Sequence, residues 1–441
     1  MAIAGLVVFV LLVVAAARNN EFHLGLAALF AALVFGVFAS GLTPDQVIAK
    51  FPTRLFLTLV SVTLLFAIAE TNGTLAIIAE RATGLCNGRV RLLPPLIFIF
   101  TFLLSALGVG NIAATALMAP TAMALAKKIK LSAFLMTLVV VGGANAASLS
   151  PFSLTGILLG ELTMKAVPTF SFQDTELYLI QIFFLTFVLV AFVHTIGFIT
   201  CGGATWWRQN RLKYLEANKS IETHVMNRSQ WATLCAIIAF ACGIFMGNST
   251  IFAELLGSKW HQLGSQLIAI ALGLIVLLML TRLVKIERAI EKIPWSTITL
   301  LTGVITYLGV LENAGAIAWA TSLIQENPIF GAMVPTLAIG SSVLSSISSS
   351  SGVVLPLFIP MVPGLAIDTT SAMYLIATVA VSAHLVDCSP FSTLGALSLA
   401  SAKKELVDGN ERLFSALLLW GLVMIPVSVA LLWALSPFAL G

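Results

Sequence analysis

Hydroxyls, prolines and glycines come together twice in this sequence, as Ser150-Pro151-Phe152-Ser153-Leu154-Thr155-Gly156 and as Ser389-Pro390-Phe391-Ser392-Thr393-Leu394-Gly395. Each stretch sits inside a long apolar segment. A proline there removes a backbone donor, a glycine loosens the turn, and hydroxyls stand ready to replace the lost hydrogen bonds. Unwound backbone at membrane depth survives only where it is buried in protein or lines a cavity. Paired interruptions in two halves of a chain are therefore a pointer to a transport site.

Around these breaks lie the other residues able to bind an ion or an acid. His384 and Asp387 precede the second break, and at the same 239-residue offset the first break has the neutral Asn145 and Ser148. An acid in an apolar segment is costly, which makes Asp387 a functional candidate; a local cap or a His384–Asp387 pair holding the break is the structural alternative. Two further oxygen-rich segments read Gly108-Val109-Gly110-Asn111-Ile112-Ala113-Ala114-Thr115, ending at Pro120, and a run containing Ser341, Ser342, Ser345, Ser346, Ser348, Ser349, Ser350 and Ser351, followed by Gly352, Pro356 and Pro360. Small side chains let backbones approach, and hydroxyls and carbonyls give hard ligands for sodium or hydrogen bonds to a carboxylate. Any one of these serines, taken alone, reads more readily as helix packing, whereas the clusters, placed at matched interruptions, read as functional.

The elements that must position these groups are membrane spans. With 59% hydrophobic and 10% charged residues, the chain is far from a soluble domain, where about 25% are charged. Apolar runs place five spans at 2 to 17, 23 to 43, 55 to 78, 131 to 166 and 176 to 199, and five more at 231 to 247, 263 to 281, 294 to 312, 371 to 400 and 413 to 436. Extra apolar stretches at 92 to 126 and 331 to 363 hold the two oxygen-rich segments. The first run, Ala2 to Ala17, lacks a basic region before it and reads as a span rather than a signal peptide. Glu70-Thr71-Asn72-Gly73 and Glu312-Asn313-Ala314-Gly315 close the third span of each half, a second echo in register with the first.

Charge then sets an expected topology. With the N-terminus outside, Arg18, Arg81, Arg89, Arg91, Lys127, Lys128, Lys130, the basic loop near 200 to 230, the run Arg282 to Lys292, Lys403, Lys404 and Arg412 all fall inside. Only Lys50, Arg54, Lys165 and Lys259 fall outside, as the positive-inside rule requires. This holds only if the two extra stretches are re-entrant hairpins. The expected fold is thus an all-α polytopic membrane protein of two inverted repeats, residues 1–200 and 231–441, each with five transmembrane spans, one re-entrant hairpin and a broken helix, joined by a cytoplasmic linker at 201–230. Five cysteines, Cys86, Cys201, Cys235, Cys242 and Cys388, show no metal-ligand spacing and an odd count, so neither a zinc site nor a disulfide framework is expected. The net charge of +4 is spread between spans and marks no nucleic-acid surface.

Gly110-Asn111-Ile112 with Pro120, the serine run leading to Gly352-Val353-Val354-Leu355-Pro356, and His384-Leu385-Val386-Asp387-Cys388-Ser389-Pro390 resemble the ion transporter superfamily, which includes the divalent anion sodium symporters and arsenite permeases. Within it the chain looks closest to the malonate carrier family of dicarboxylate transporters. In the divalent anion symporters each hairpin tip carries a Ser-Asn-Thr triplet that binds substrate carboxylates and sodium. Gly110, Asn111 and Ile112 stand at the first triplet here, and Ser350, Ser351 and Gly352 at the second; only Asn111 and Ser350 keep the family residue.

The resemblance implies substrate contacts at Asn111, Thr115, Ser150, Pro151, Ser153, Ser350, Ser351, Ser389, Pro390, Ser392 and Thr393. With the acid of the second break, the candidate sodium or proton sites are Gly110, Asn111, Asn145, Ser148, Ser349, Ser350 and Asp387, and the resemblance implies a homodimer. The expected function is secondary active transport of a small carboxylate, such as malonate or a C4 dicarboxylic acid, coupled to sodium or protons through rigid-body displacement of the hairpins and broken helices. Neither a catalytic site nor a cofactor other than a coupling Na+ is expected, and no Walker A pattern is present. A cation/proton antiporter using Asp387, an inorganic-anion permease of the same superfamily, and a channel are the alternatives.

Overall fold

The structure, a computed structural model, describes residues 1–18, 21–75, 77, 89–168, 172–210, 226–247, 267–329, 332–405 and 410–440. Cys86, Arg81, Ala76, Lys259 and the linker residues Arg211, Lys213 and Lys219 lie outside them. Among the described residues the protein is all-helical. It is an integral membrane protein: among the described residues six helices are long and apolar enough to cross a bilayer, and shorter apolar helices accompany them.

The first part of the chain forms α1 (Ala2–Arg18), α2 (Leu24–Phe38), the short α3 (Pro44–Ile48), α4 (Thr53–Thr71), α5 (Val90–Gly108), α6 (Asn111–Ile129), α7 (Ala133–Ala146), α8 (Leu154–Ala166), α9 (Phe172–Phe198) and α10 (Ala204–Gln209). The second forms α11 (Arg228–Gly247), α12 (Leu267–Leu280), the short α13 (Ile286–Glu291), α14 (Trp295–Asn313), α15 (Ala316–Glu326), α16 (Met333–Ser346), α17 (Ser350–Leu365), α18 (Thr369–Leu385), α19 (Thr393–Glu405) and α20 (Asn410–Leu440).

These elements recur in matching order, and local chemistry explains why. Both α4 and α14 start immediately after a proline, Pro52 and Pro294, whose fixed φ and missing N–H suit a helix entrance. Each helix ends in a glycine with left-handed backbone, Gly73 at φ 79° and Gly315 at φ 75°, which accounts for the repeated Glu-x-x-Gly signature. Packing is exchanged between the halves. Helix α2 lies against α14 while α4 lies against α12; α6 lies against α19 while α8 lies against α17. Within each half, α5 packs on α7 and α16 on α18, and α7 and α18 are in turn covered by α9 and α20. As a result α7 is buried from Leu135 to Ala146 and α18 from Tyr374 to Leu385, so the two helices leading into the breaks are the core.

The expected long spans at 131 to 166 and 371 to 400 are each two helices separated by an unwound segment, 147–153 and 386–392. The stretch expected as a hairpin at 92 to 126 is a helix pair meeting at Gly110, and both limbs are 19 residues long, enough by length and composition alone to cross a membrane. The second pair, α16 and α17, has shorter limbs. Gly110, at φ 81°, makes the turn between α5 and α6, and a Cβ there would stand 2.9 Å from Leu154 Cδ1 at the start of α8. The hairpin tip and the first break are therefore in contact.

Candidate functional site

Both breaks are built alike. In the first, Ser153 caps α8, its Oγ accepting from Gly156 N at 3.0 Å while its hydroxyl donates to Ser150 O at 2.9 Å. In the second, Ser392 accepts from Gly395 N at 3.3 Å and donates to Ser389 O at 2.8 Å. The carbonyls of Ser150 and Ser389 lie so close to the following helix that a Cβ on Gly156 or Gly395 would stand 1.8 Å away. Hydroxyl and glycine in this motif thus hold the chain unwound for one turn, satisfying donors that water cannot reach.

The two breaks meet at a buried polar hub. Asn111, the first residue of α6, donates from Nδ2 to Asn145 Oδ1 at 3.0 Å. Asn145, near the end of α7, crosses to the other half, donating to His384 O at 2.9 Å and Asp387 Oδ2 at 3.3 Å. Ser350, the first residue of α17, donates to the same Oδ2 at 2.7 Å, and Ser345 on α16 donates to Oδ1 at 3.2 Å. Ser345 also donates to Ala383 O at 2.7 Å, as Ser105 does to Ala144 O at 2.8 Å in the first half. Asp387 is 2% exposed, and among the described residues no Lys or Arg forms a salt bridge with it.

The hub gathers Asn111, Asn145, Ser350 and Asp387 of the expected ion-site residues, with Gly110 and Ser349 adjacent in the chain. Ser148 is turned back on its own helix, donating to Asn145 O at 2.8 Å. Ser150 ties the first break to α5 through Ala106 O at 2.7 Å. Thr115 is fully buried on α6, its hydroxyl without a partner. Ser351, Ser389 and Pro390 are buried near the hub, and Pro151 is half-buried. The sequence did not single out Ser345 from its neighbours, and two other features escaped it. His384 Nδ1 bonds Ala380 O at 2.6 Å, leaving a buried Nε2 unpartnered. Cys388 lies 3.5 Å from His194 Nε2 on α9, pinning the second break on its other flank. Glu70 pairs with Lys292 at 3.2 Å, away from the hub.

A cavity of ≈ 340 Å³ reaches this region from one end of the molecule. Its walls are Ser348 and Ser349 at the α16–α17 tip, Phe391, Ser392 and Thr393 in the second break, and Glu21, His23, Ser296 and Leu300 from the ends of α2 and α14. No Lys or Arg is among the described residues lining it. A separate cavity of ≈ 310 Å³ is lined by Lys50, Lys165, Gly309, Glu312, Pro356 and Pro360 among others. Beside it Arg54 of α4 bridges to Glu161 of α8 at 3.3 Å.

Residues 1–148 match the family model of the dicarboxylate carrier protein MatC N-terminus. No curated protein sequence matches the chain. In fold it is similar to the crystal structure of the Alcanivorax borkumensis YdaH transporter, with a TM-score of 0.56 at 15% identity, covering 89% of this chain and 87% of that one.

Proposed function

We propose that this membrane protein, whose N-terminal third carries the sequence of a dicarboxylate carrier family, is a secondary active transporter of small dicarboxylates driven by sodium or protons. The observation that carries the reading is the ≈ 340 Å³ cavity, which lies at the low end of ligand-pocket volumes, about 300–1,000 Å³, and ends on a hairpin-tip hydroxyl pair and the second break. One substrate carboxylate is received by the hydroxyls of Ser349 and Thr393 at the start of α19, where free backbone N–H groups favour an anion.

The ion coupling follows from Asp387. A buried carboxylate with hydrogen-bond donors but no cationic partner is a place where a transported cation or proton supplies the missing charge. Its Oδ1 faces Ser345, whose hydroxyl already has Ala383 O as acceptor. A proton on Oδ1 would donate to Ser345 Oγ, and a sodium ion would find oxygen ligands in Asp387, Ser345 and nearby carbonyls. Neutralising Asp387 also removes the repulsion that would oppose an anionic substrate next door.

In this reading residues 1–200 and 231–441 are inverted repeats joined by a cytoplasmic linker, and both termini lie outside the inner membrane. The limbs meeting at Gly110 and at Ser349 are re-entrant. Helices α5 to α8 and α16 to α19 form a unit that moves against a scaffold of α1 to α4 and α11 to α15, which also provides a homodimer contact. The Arg54–Glu161 pair joins scaffold to moving unit on the side away from the ≈ 340 Å³ cavity. It stabilises the state that opens toward the basic, cytoplasmic end. Uptake of labelled C3 and C4 dicarboxylates into vesicles containing the purified protein, under an imposed sodium or proton gradient, tests the proposal. No gradient-driven uptake of any dicarboxylate would refute it. The cation/proton antiporter is the second reading, favoured by the absence of Lys and Arg among the described residues of the cavity wall; it requires cation flux with no organic acid present.

A further inference from the structure

The wall of the ≈ 340 Å³ cavity opposite the second break contains one imidazole, His23. Its geometry fixes which nitrogen carries the hydrogen. His23 caps α2: Nδ1 accepts from Leu26 N at 3.3 Å, so Nδ1 is the lone-pair nitrogen. The hydrogen is then on Nε2, 3.1 Å from Ser296 Oγ at the start of α14. The backbone of α2 thereby holds a half-buried N–H donor in the cavity, and its partner among the described residues is a serine hydroxyl that can itself turn elsewhere. Glu21 and His23 are the only ionisable groups among the described lining residues, and an ionised Glu21 can only accept hydrogen bonds whereas the imidazole of His23 donates.

We propose that His23 is a substrate-binding residue that receives the second carboxylate of a dicarboxylate, its Nε2–H leaving Ser296 for the ligand. This deepens, and rests on, the reading of the cavity as the substrate site. A carboxylate accepts a stronger hydrogen bond than a hydroxyl does, so the exchange is favourable. It gives a cavity with no Lys or Arg among its described lining residues a means of selecting a di-acid over a mono-acid. One end is held by the hydroxyls of the moving unit and the other by the scaffold. Because His23 belongs to α2, the contact exists only while the cavity faces this end, and displacement of the moving unit breaks it. The scaffold thus discriminates by chain length in one orientation alone.

The test is ligand binding to the purified full-length protein by titration calorimetry, with malonate, succinate and propionate as probes. His23→Ser keeps a side-chain oxygen for the α2 cap but cannot reach the cavity. Ser296→Ala frees the imidazole N–H. The expected result is that His23→Ser raises the Kd for the dicarboxylates about tenfold and leaves propionate within about twofold, whereas Ser296→Ala binds dicarboxylates as well as or better than the wild type. A purely structural His23–Ser296 contact would make the two variants weaken binding alike, which overturns the proposal. So does unchanged dicarboxylate affinity in His23→Ser, or equal loss for propionate. Should His23→Ser fail to fold, the Ser296→Ala arm still decides, since weakened dicarboxylate binding there contradicts the exchange. A wild-type protein that binds none of the probes removes the transport reading as well, a result distinct from all of these.

Discussion

Replacing Asp387 separates its charge from its hydrogen bonds. In Asp387→Asn the amide oxygen takes the place of Oδ2 and still accepts from Ser350 and Asn145, at 2.7 and 3.3 Å in the wild type. The amide nitrogen takes the place of Oδ1 and donates to Ser345 Oγ, 3.2 Å away, while that hydroxyl keeps Ala383 O as acceptor. Every bond of the hub is preserved and a buried, unpaired charge is removed. The expected change in stability is therefore within about 1 kcal/mol of zero. Asp387→Ala instead strands the Ser350 hydroxyl, while Asn145 keeps His384 O and Ser345 keeps Ala383 O as acceptors, for a loss of about 1–3 kcal/mol. Thermal unfolding in detergent should show Asp387→Asn close to the wild type and Asp387→Ala clearly lower. Uptake by Asp387→Asn should no longer depend on the sodium or proton gradient, since nothing at 387 requires a cation. Equal destabilisation of both variants would refute the hub geometry. A wild-type ion dependence in Asp387→Asn would show that coupling lies elsewhere.

Ser350→Ala removes the shortest bond to Asp387, a hydrogen bond to a charged group worth about 1.5–3 kcal/mol, and should weaken apparent cation affinity about tenfold in uptake assays; Asn111→Ala should weaken substrate binding while still inserting in membranes. Gly156→Ala and Gly395→Ala each force a Cβ to 1.8 Å from a carbonyl oxygen, so each should lower stability by about 1–3 kcal/mol, read as a fall in Tm. Cysteines placed at Lys127 and Asn210 should react with impermeant thiol reagents from the cytoplasmic side and one at Ala320 from the opposite side; reaction of 127 and 320 from one side would defeat the re-entrant hairpins.

Much of the site was legible because its chemistry is local. Proline, serine and glycine at fixed spacing specify an unwound turn with its own cap, and the same spacing twice identified both breaks. His384 and Asp387 stood out because they fall at the positions of the neutral Asn145 and Ser148 in the first repeat. What the sequence did not show is that Asn145 touches them: the bond from Asn145 to the backbone of His384 spans 239 residues and depends on exchanged packing. Ser345 was hidden among neighbours of the same type, since only the tertiary fold selects which hydroxyl of a serine run faces the carboxylate. His23 gave no signal at all, being a lone histidine at the start of the expected second span until α14 is set beside it. The lengths of the α5 and α6 limbs were likewise masked, because one glycine-rich turn inside a continuous apolar run leaves hydropathy nearly unchanged.

The exchanged packing of the two halves has a consequence for how the chain is made. Asn145 leaves the ribosome long before His384 and Asp387 exist, yet its amide donates to both of them in the finished protein. The faces of α6 and α8 wait in the same way for α19 and α17. An unpaired amide is costly in lipid, so the newly inserted first half is an incomplete object whose polar centre must be shielded, by the insertion machinery or by retained water, until the last third of the chain arrives. Truncation after the linker should therefore yield a fragment that is recognised and degraded, while the two halves expressed as separate chains should rescue one another.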